Sequence, residues 1–381
     1  MTRLTDQMEF ALGYSFVAGN HIEVLCNGDK IFPAMLKAIN DAEDSICFVT
    51  HVYWTGEIAV EFADAMTQAA LRGVNTKVLL DAIGCNSMRK ELVEQMESAG
   101  VQVAWFRPVS QWKIWKWDKR THRKLLLCDQ NVAFTGGVGI AEEWQGNAQD
   151  PSSWRDTHFR ITGPVVLNMY SGFFTNWNEA SKVDGENRLE PKKPAVCGDA
   201  RVQVVRSPAS INWSDIATVF RTLLIEARES IWITTAYFVP DDTLAGLMCS
   251  AAKRGVDVRV LVPGQHTDQR LSQLSGEDQF RRLLDSGVTI HLFDPTMLHS
   301  KIMTVDHCLA VVGSANMNHR SMSKDDEFCL VVEDAKTLST LEQQFEDDLE
   351  RSHVLDLSDW KERGPVRRAG EYIARLFRGQ M

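Results

Sequence analysis

Two short stretches 177 positions apart, "THRKLLLCD" at 121–129 and "LHSKIMTVD" at 298–306, carry His, Lys and Asp at one spacing: His122, Lys124 and Asp129, then His299, Lys301 and Asp306. An internal repeat restricts a fold more than any composition does, because the second half must build the elements of the first. The repeat extends outward. "DAEDSICFVTHVYW" (41–54) parallels "EARESIWITTAYFV" (226–239), and "LRGVNTKVLLD" (71–81) parallels "KRGVDVRVLVP" (253–263). "ESAGVQVAWF" (97–106) pairs with "LDSGVTIHLF" (284–293), and "WRDTHFRITG" (154–163) with "DDEFCLVVED" (325–334). Helix ends, capping glycines and β-branched or aromatic runs recur in the same order. The expected fold is α/β, a tandem duplication of two α/β halves, each a mixed β-sheet flanked by helices, with the active site at the pseudo-twofold interface. "VDGENRLEPKKPAVCGD" (183–199) is charged, carries Pro and Gly and lacks hydrophobic period, so it reads as the linker. The expected units are 1–190, 191–358 and a basic tail, 359–381.

A strand alternates its faces with period two, so His122 and Lys124 share one face, as do His299 and Lys301. One histidine beside a lysine is ordinarily structural. Two copies facing each other offer two imidazoles and two ammonium groups around one cavity, which suits phosphodiester chemistry. One neutral imidazole attacks phosphorus, while the other gives a proton to the leaving oxygen and later takes one from the incoming alcohol or water. The lysines hold the non-bridging oxygens, so the scheme calls for no metal and no cofactor. A nucleophilic imidazole also needs its other nitrogen oriented by an acceptor. Asp156 and Glu327, at matched positions of the paired acidic segments, 34 and 28 residues after their histidines, are the expected orienting carboxylates.

A net charge of −10 argues against a general nucleic-acid binder. The eight cysteines form no C-x-x-C pair and sit mostly in apolar segments, as small buried hydrophobes in a reducing cytoplasm do. The N-terminus carries Asp6 and Glu9 within a weakly apolar stretch, unlike a secretory signal, and no run approaches the ~18–20 apolar residues of a membrane span. Contact with a membrane is therefore expected to be peripheral. "RPVSQWKIWKWDKR" (107–120) interleaves Trp112, Trp115 and Trp117 with Lys113 and Lys116, a combination suited to an anionic bilayer surface. In the tail, Val366, Ala369, Ile373 and Phe377 fall at helical spacing among six Arg and Lys, as in an interfacial helix.

The two H-x-K-x4-D copies, each followed by a G-G or G-S turn, resemble the phospholipase D superfamily over nearly the whole chain. "THRKLLLCDQNVAFTGGVGIAEEW", "WRDTHFRITGPVV", "AYFVPD" and "VVGSANMNHRSMSKDDEF" are most similar to the bacterial cardiolipin synthases. The resemblance implies two α/β halves around one active site and catalysis through a phosphohistidine. It implies His122 and His299 as nucleophile and acid/base, Lys124 and Lys301 as phosphate ligands, and Asn316 as a further phosphate contact. Asp129 and Asp306 belong to the motif and are counted with the catalytic set, although a supporting role fits them better. The implied partners are phosphatidylglycerol, a second glycerophospholipid and an anionic membrane surface, at the cytoplasmic face of the cell membrane. The alternative is a phospholipase D-type hydrolase of lipid or, less consistent with the acidic charge, of nucleic acid. One departure stands out: the family's first turn usually carries Asn where this chain has Gly139.

Overall fold

A computed structural model describes residues 3–108, 118–181, 189–192, 194–207, 214–269 and 279–356. Strand β2 follows β1 (Val17–Cys26) and covers Ser45–Thr50; its alternation shows how the layers arise. Ile46 and Phe48 join one apolar cluster, and Cys47 and Val49 join another on the opposite face. The first half continues with β3 (Asn75–Asp81), β4 (Gln102–Phe106), β5 (Leu125–Cys128), β6 (Val132–Gly136) and β7 (Thr157–Thr162). The second half repeats the series as β8 (Ala200–Ser207), β9 (Ser230–Thr235), β10 (Asp257–Pro263), β11 (Thr289–Phe293), β12 (Lys301–Val305), β13 (Leu309–Gly313) and β14 (Glu327–Glu333), and β15 (Ser352–Val354) follows.

These strands form one continuous sheet in the order β15-β11-β10-β9-β12-β13-β14-β8-β1-β7-β6-β5-β2-β3-β4. The sequence repeat predicts a sheet in each half; the structure joins the two through an antiparallel contact of β1 with β8, Val17 facing Val202 and Asn20 facing Ala200. Within each half the pairing is mixed. β2 runs parallel to β3 and antiparallel to β5, and β9 runs parallel to β10 and antiparallel to β12.

Helices α1 (Arg3–Leu12), α2 (Gly28–Asp41), α3 (Glu57–Leu71), α4 (Lys90–Ser98), α5 (Val166–Ala180), α6 (Asp215–Glu226) and α7 (Asp242–Lys253) cover the sheet, with a further helix at Ala335–Glu350. The duplicated "RGV" segments show why α3 and α7 stop where they do. Gly73 and Gly255 both take φ of +92°, which glycine adopts without a Cβ clash. The preceding Arg72 and Arg254 each reach back to three carbonyls at the end of the previous helix: Ile39, Asn40 and Ala42 for one, Leu224, Ile225 and Ala227 for the other. One face of the first half is packed by α2 and α3, and the same face of the second by α6 and α7. On the other face a single cluster runs across both halves, combining Phe159, Met169 and Phe173 with Val312, Phe328, Leu338 and Leu341. That shared layer fixes the halves against each other.

All eight cysteines are free; five are buried and Cys197 is exposed. Among the described residues no helix is long and apolar enough to cross a membrane. Trp112, Trp115, Trp117, Lys113, Lys116 and the tail 359–381 lie outside the described residues.

Candidate active site

The chain approaching β5 and the chain approaching β14 come from opposite halves and bridge in parallel, Thr121 to Asp326. His122 N donates to the Asp326 carbonyl and Asp326 N to the Arg120 carbonyl, both at 2.8 Å. The symmetric crossing joins Arg155 to Leu298: His299 N donates to the Arg155 carbonyl at 2.7 Å and Arg155 N to the Met297 carbonyl at 2.9 Å. Each histidine is thereby set beside the first residues of the other half's acidic strand.

The orienting contacts follow from this crossing. His122 Nδ1 lies 3.0 Å from both carboxylate oxygens of Glu327, and His299 Nδ1 lies 2.8 Å from Asp156 Oδ2. Order along the chain associates Asp156 with His122 and Glu327 with His299; the structure exchanges the partners. With each carboxylate ionised, Nδ1 carries the hydrogen and donates it, which leaves Nε2 with a lone pair. Glu327 also accepts from Ser321 Oγ at 2.6 Å and from Ser314 Oγ. Asp156 accepts from the Trp144 indole N–H at 2.9 Å and from Thr157 N at 2.8 Å.

Burial would raise both carboxyl groups, but the adjacent imidazoles and lysines overcome it and hold Glu327 and Asp156 below the usual carboxylate range. Burial holds both imidazoles below their ordinary value, and Lys124 and Lys301 beside them act in the same direction. The lysines are themselves depressed by burial, Lys124 to about 8 and Lys301 to about 7, although Glu327 and Asp156 pull the other way. Lys124 acts electrostatically on His122, His299 and Lys301, so the two motifs make one charge cluster. Lys124 Nζ donates to the His122 carbonyl at 3.0 Å, and Lys301 Nζ lies 3.0 Å from His299 Nε2.

The two sides differ in exposure and walls. The His122 side chain is 13% exposed and that of His299 is 6%. His299 is boxed by the rings of Trp144, Trp154 and Tyr237, at centroid distances of 5.2, 5.4 and 6.1 Å. His122 instead meets His51 edge-on at 5.0 Å, and the His51 Nδ1–H donates to the Thr121 carbonyl at 2.8 Å. Asn316 is buried, and its Oδ1 has no hydrogen-bond partner. At Gly139 a Cβ would lie 2.7 Å from Val52 Cβ and 3.2 Å from Trp144 Cζ3, so no side chain fits there.

Asp129 and Asp306 require a correction. Both follow their strands, about 20 Å along the chain from the histidines at ~3.3 Å per residue. Asp129 accepts from Glu43 N, Asp44 N and Ser45 N at 2.9, 2.8 and 2.8 Å. Asp306 does the same for Arg228, Glu229 and Ser230. They sit at φ of 51° and 50° in the β5–β6 and β12–β13 turns and anchor the starts of β2 and β9. Their place in the motif reflects this anchoring and not contact with the imidazoles.

Sequence reasoning missed His51, because its counterpart in the second half is Ala236 and no repeat flags it. It also missed the Asp81–Arg120 ion pair, in which Asp81 accepts from Arg120 Nε at 3.0 Å and from Thr121 N at 3.1 Å and so fixes the approach to His122. Serines 314 and 321 and Trp144 lie in the segments that follow the two motifs, where nothing in the sequence pattern marks them as partners of the carboxylates.

The family model described as "Cardiolipin synthase, PLD-like domain" matches residues 35–147 and 220–349, one segment in each half. The chain belongs to this family. It is a phospholipase D-type enzyme, and its relatives are named for phospholipid synthesis. Cardiolipin synthase 2 of Bacillus cereus is 34% identical, with 98% of this chain and 73% of that protein covered. Cardiolipin synthase 1 of the same organism is 31% identical, covering 93% of this chain and 71% of the other. Among solved structures, phosphatidylserine synthase of Haemophilus influenzae shares the fold at a TM-score of 0.75, with 15% identity and full coverage of both chains.

Proposed function

We propose that this enzyme transfers a phosphatidyl group from phosphatidylglycerol to the hydroxyl of a second glycerophospholipid, giving cardiolipin through a covalent phosphohistidine. The observation that carries the reading is the pair of imidazoles whose Nδ1 atoms are bound by buried carboxylates, with two buried lysines beside them. A merely lipid-binding protein needs the cations but not the paired imidazoles. The names of the relatives supply the substrate class.

In this reading His122 Nε2, the more exposed of the two, attacks phosphorus. The bond to the departing glycerol oxygen breaks, and His299 Nε2–H protonates that oxygen. The proton resides on His299 because the bound phosphodiester brings negative charge to a cluster that otherwise keeps the imidazole neutral. Glycerol leaves. His299 then removes the proton from the acceptor hydroxyl, the new P–O bond forms, and the P–N bond to His122 breaks. Lys124, Lys301 and Asn316 hold the non-bridging oxygens throughout. The halves 1–190 and 191–358 each supply one His-Lys pair and one carboxylate. Segment 107–120 and the tail 359–381 dock the enzyme on anionic lipid at the cytoplasmic face of the membrane.

The test is lipid mass spectrometry after incubation with phosphatidylglycerol vesicles in excess chelator, with a short-chain soluble substrate in parallel. Cardiolipin with release of glycerol is expected, together with a phosphatidyl adduct on His122 in His299→Ala. Phosphatidic acid as the sole product would make the enzyme a hydrolase, and no product in either substrate would remove the transfer reading altogether.

A further inference from the structure

The scheme above uses the two orienting carboxylates but not the groups that hold them, and those groups differ between the halves. Trp144 precedes Ser321 by the same 177 positions that separate His122 from His299, Lys124 from Lys301 and Gly139 from Asn316. At the two ends of that interval the structure finds one job done by unlike chemistry. Ser321 Oγ donates to Glu327 Oε1 at 2.6 Å, and Trp144 Nε1 donates to Asp156 Oδ2 at 2.9 Å. Each carboxylate in turn holds a histidine.

We propose that Trp144 is the positioning residue of the His299–Asp156 pair, the counterpart of Ser321 in the His122–Glu327 pair, and that its ring, together with Val52, takes the space an asparagine at position 139 would need. The inference rests on the transfer reading for its catalytic meaning, though not for its geometry. Three contacts support it. The indole edge meets the His299 ring at 5.2 Å and 80°, so Trp144 touches both members of the pair. Its own orientation is fixed by Trp154 at 4.4 Å and 63° and by burial to 2% exposure. Its Cζ3 atom stands 3.2 Å from where a side chain at 139 would begin, and Val52 Cβ is closer still, at 2.7 Å.

The exchange of serine for tryptophan has a chemical consequence. A hydroxyl rotates and both donates and accepts, whereas an indole only donates. Asp156 Oδ2 therefore shares itself between the indole and the His299 Nδ1–H at every stage of the reaction. Sharing weakens its hold on the imidazolium and so helps set how readily His299 gives up a proton. The amide of Asn316 remains for the phosphate, with none at position 139, so the site is polar on one side and aromatic on the other.

The experiment is an NMR titration of the histidine rings in the whole protein, free of substrate, for Trp144→Phe and Ser321→Ala. Phenylalanine keeps most of the ring and removes the N–H. Asp156 Oδ2 then serves His299 alone, while Oδ1 keeps the Thr157 N–H, and the His299 titration should move up by several tenths to about one pH unit, with His122 unmoved. Ser321→Ala should move His122 and leave His299. In the transfer assay Trp144→Phe should lower kcat about tenfold with KM nearly unchanged, the pattern of an interaction felt in the transition state. Should Trp144→Phe fold poorly, the unsubstituted protein answers the same question, since its Trp144 indole N–H resonance should follow the titration of His299. A Trp144→Phe protein in which neither histidine moves, or both move equally, would overturn the assignment, as would an indole resonance indifferent to His299. Because the titrations need no lipid, a shift seen without cardiolipin formation would retain the positioning role and reject the reaction.

Discussion

Replacing Asp129 separates anchoring from chemistry, because the carboxylate accepts from three consecutive backbone N–H groups, Glu43, Asp44 and Ser45, at 2.8–2.9 Å. Hydrogen bonds to a charged group contribute about 1.5–3 kcal/mol each when buried, and about half the lower figure is reasonable where water competes, as it does here. The three together contribute about 2 kcal/mol. Alanine at φ of 51° adds about 1 kcal/mol of left-handed strain, which Asp and Asn tolerate better. Asp129→Ala should thus cost about 3 kcal/mol. A chain of 381 residues has an unfolding entropy of roughly 0.8 kcal/mol/K if it melts as one unit, so Tm should fall by about 4 °C. Asp129→Asn keeps one acceptor and the backbone preference and should lose about half as much. Near-UV circular dichroism gives Tm, and transfer on phosphatidylglycerol vesicles at 25 °C, where both variants are folded, gives the rate. The rate should stay within about threefold of the unsubstituted enzyme. An unchanged Tm with a hundredfold loss of transfer would refute the anchoring argument and return Asp129 to the chemistry.

The crossed pairs make a second prediction: Glu327→Gln should lower the titration of His122 and Asp156→Asn that of His299, since each removes the anion that stabilises one imidazolium, and transfer should fall about 10²–10⁴-fold in both. The opposite correspondence in the titrations would show that the pairs do not cross. A third concerns pH. An ammonium is charged below its pKa, and burial places Lys301 near 7 and Lys124 near 8, so kcat/KM should decline as pH rises through that window. A profile flat to about pH 10 would mean that the free enzyme keeps both charges.

Some of this was legible in the chain alone. The 177-residue interval identified both His-Lys pairs, the strand alternation placed each pair on one face, and the "RGV" segments marked where helices yield to buried strands. Local chemistry sufficed there: a period of two, a glycine cap, an apolar run. The identities of Asp156 and Glu327 could be read for the same reason, as matched positions of matched strands. Which histidine each one serves could not, because a tandem repeat is equally consistent with pairing inside a half and pairing across halves. Only the parallel bridges Thr121–Asp326 and Arg155–Leu298, between segments far apart in sequence, choose the crossed arrangement. The same limit applies to Gly139, whose missing side chain is a matter of the space left by Val52 and Trp144. It applies to the motif aspartates, whose backbone partners lie 84–86 residues from Asp129 and 76–78 from Asp306. Sequence pattern encodes which face a residue occupies; what it meets on that face is set by the close packing of the two halves, and that is decided only when the chain folds.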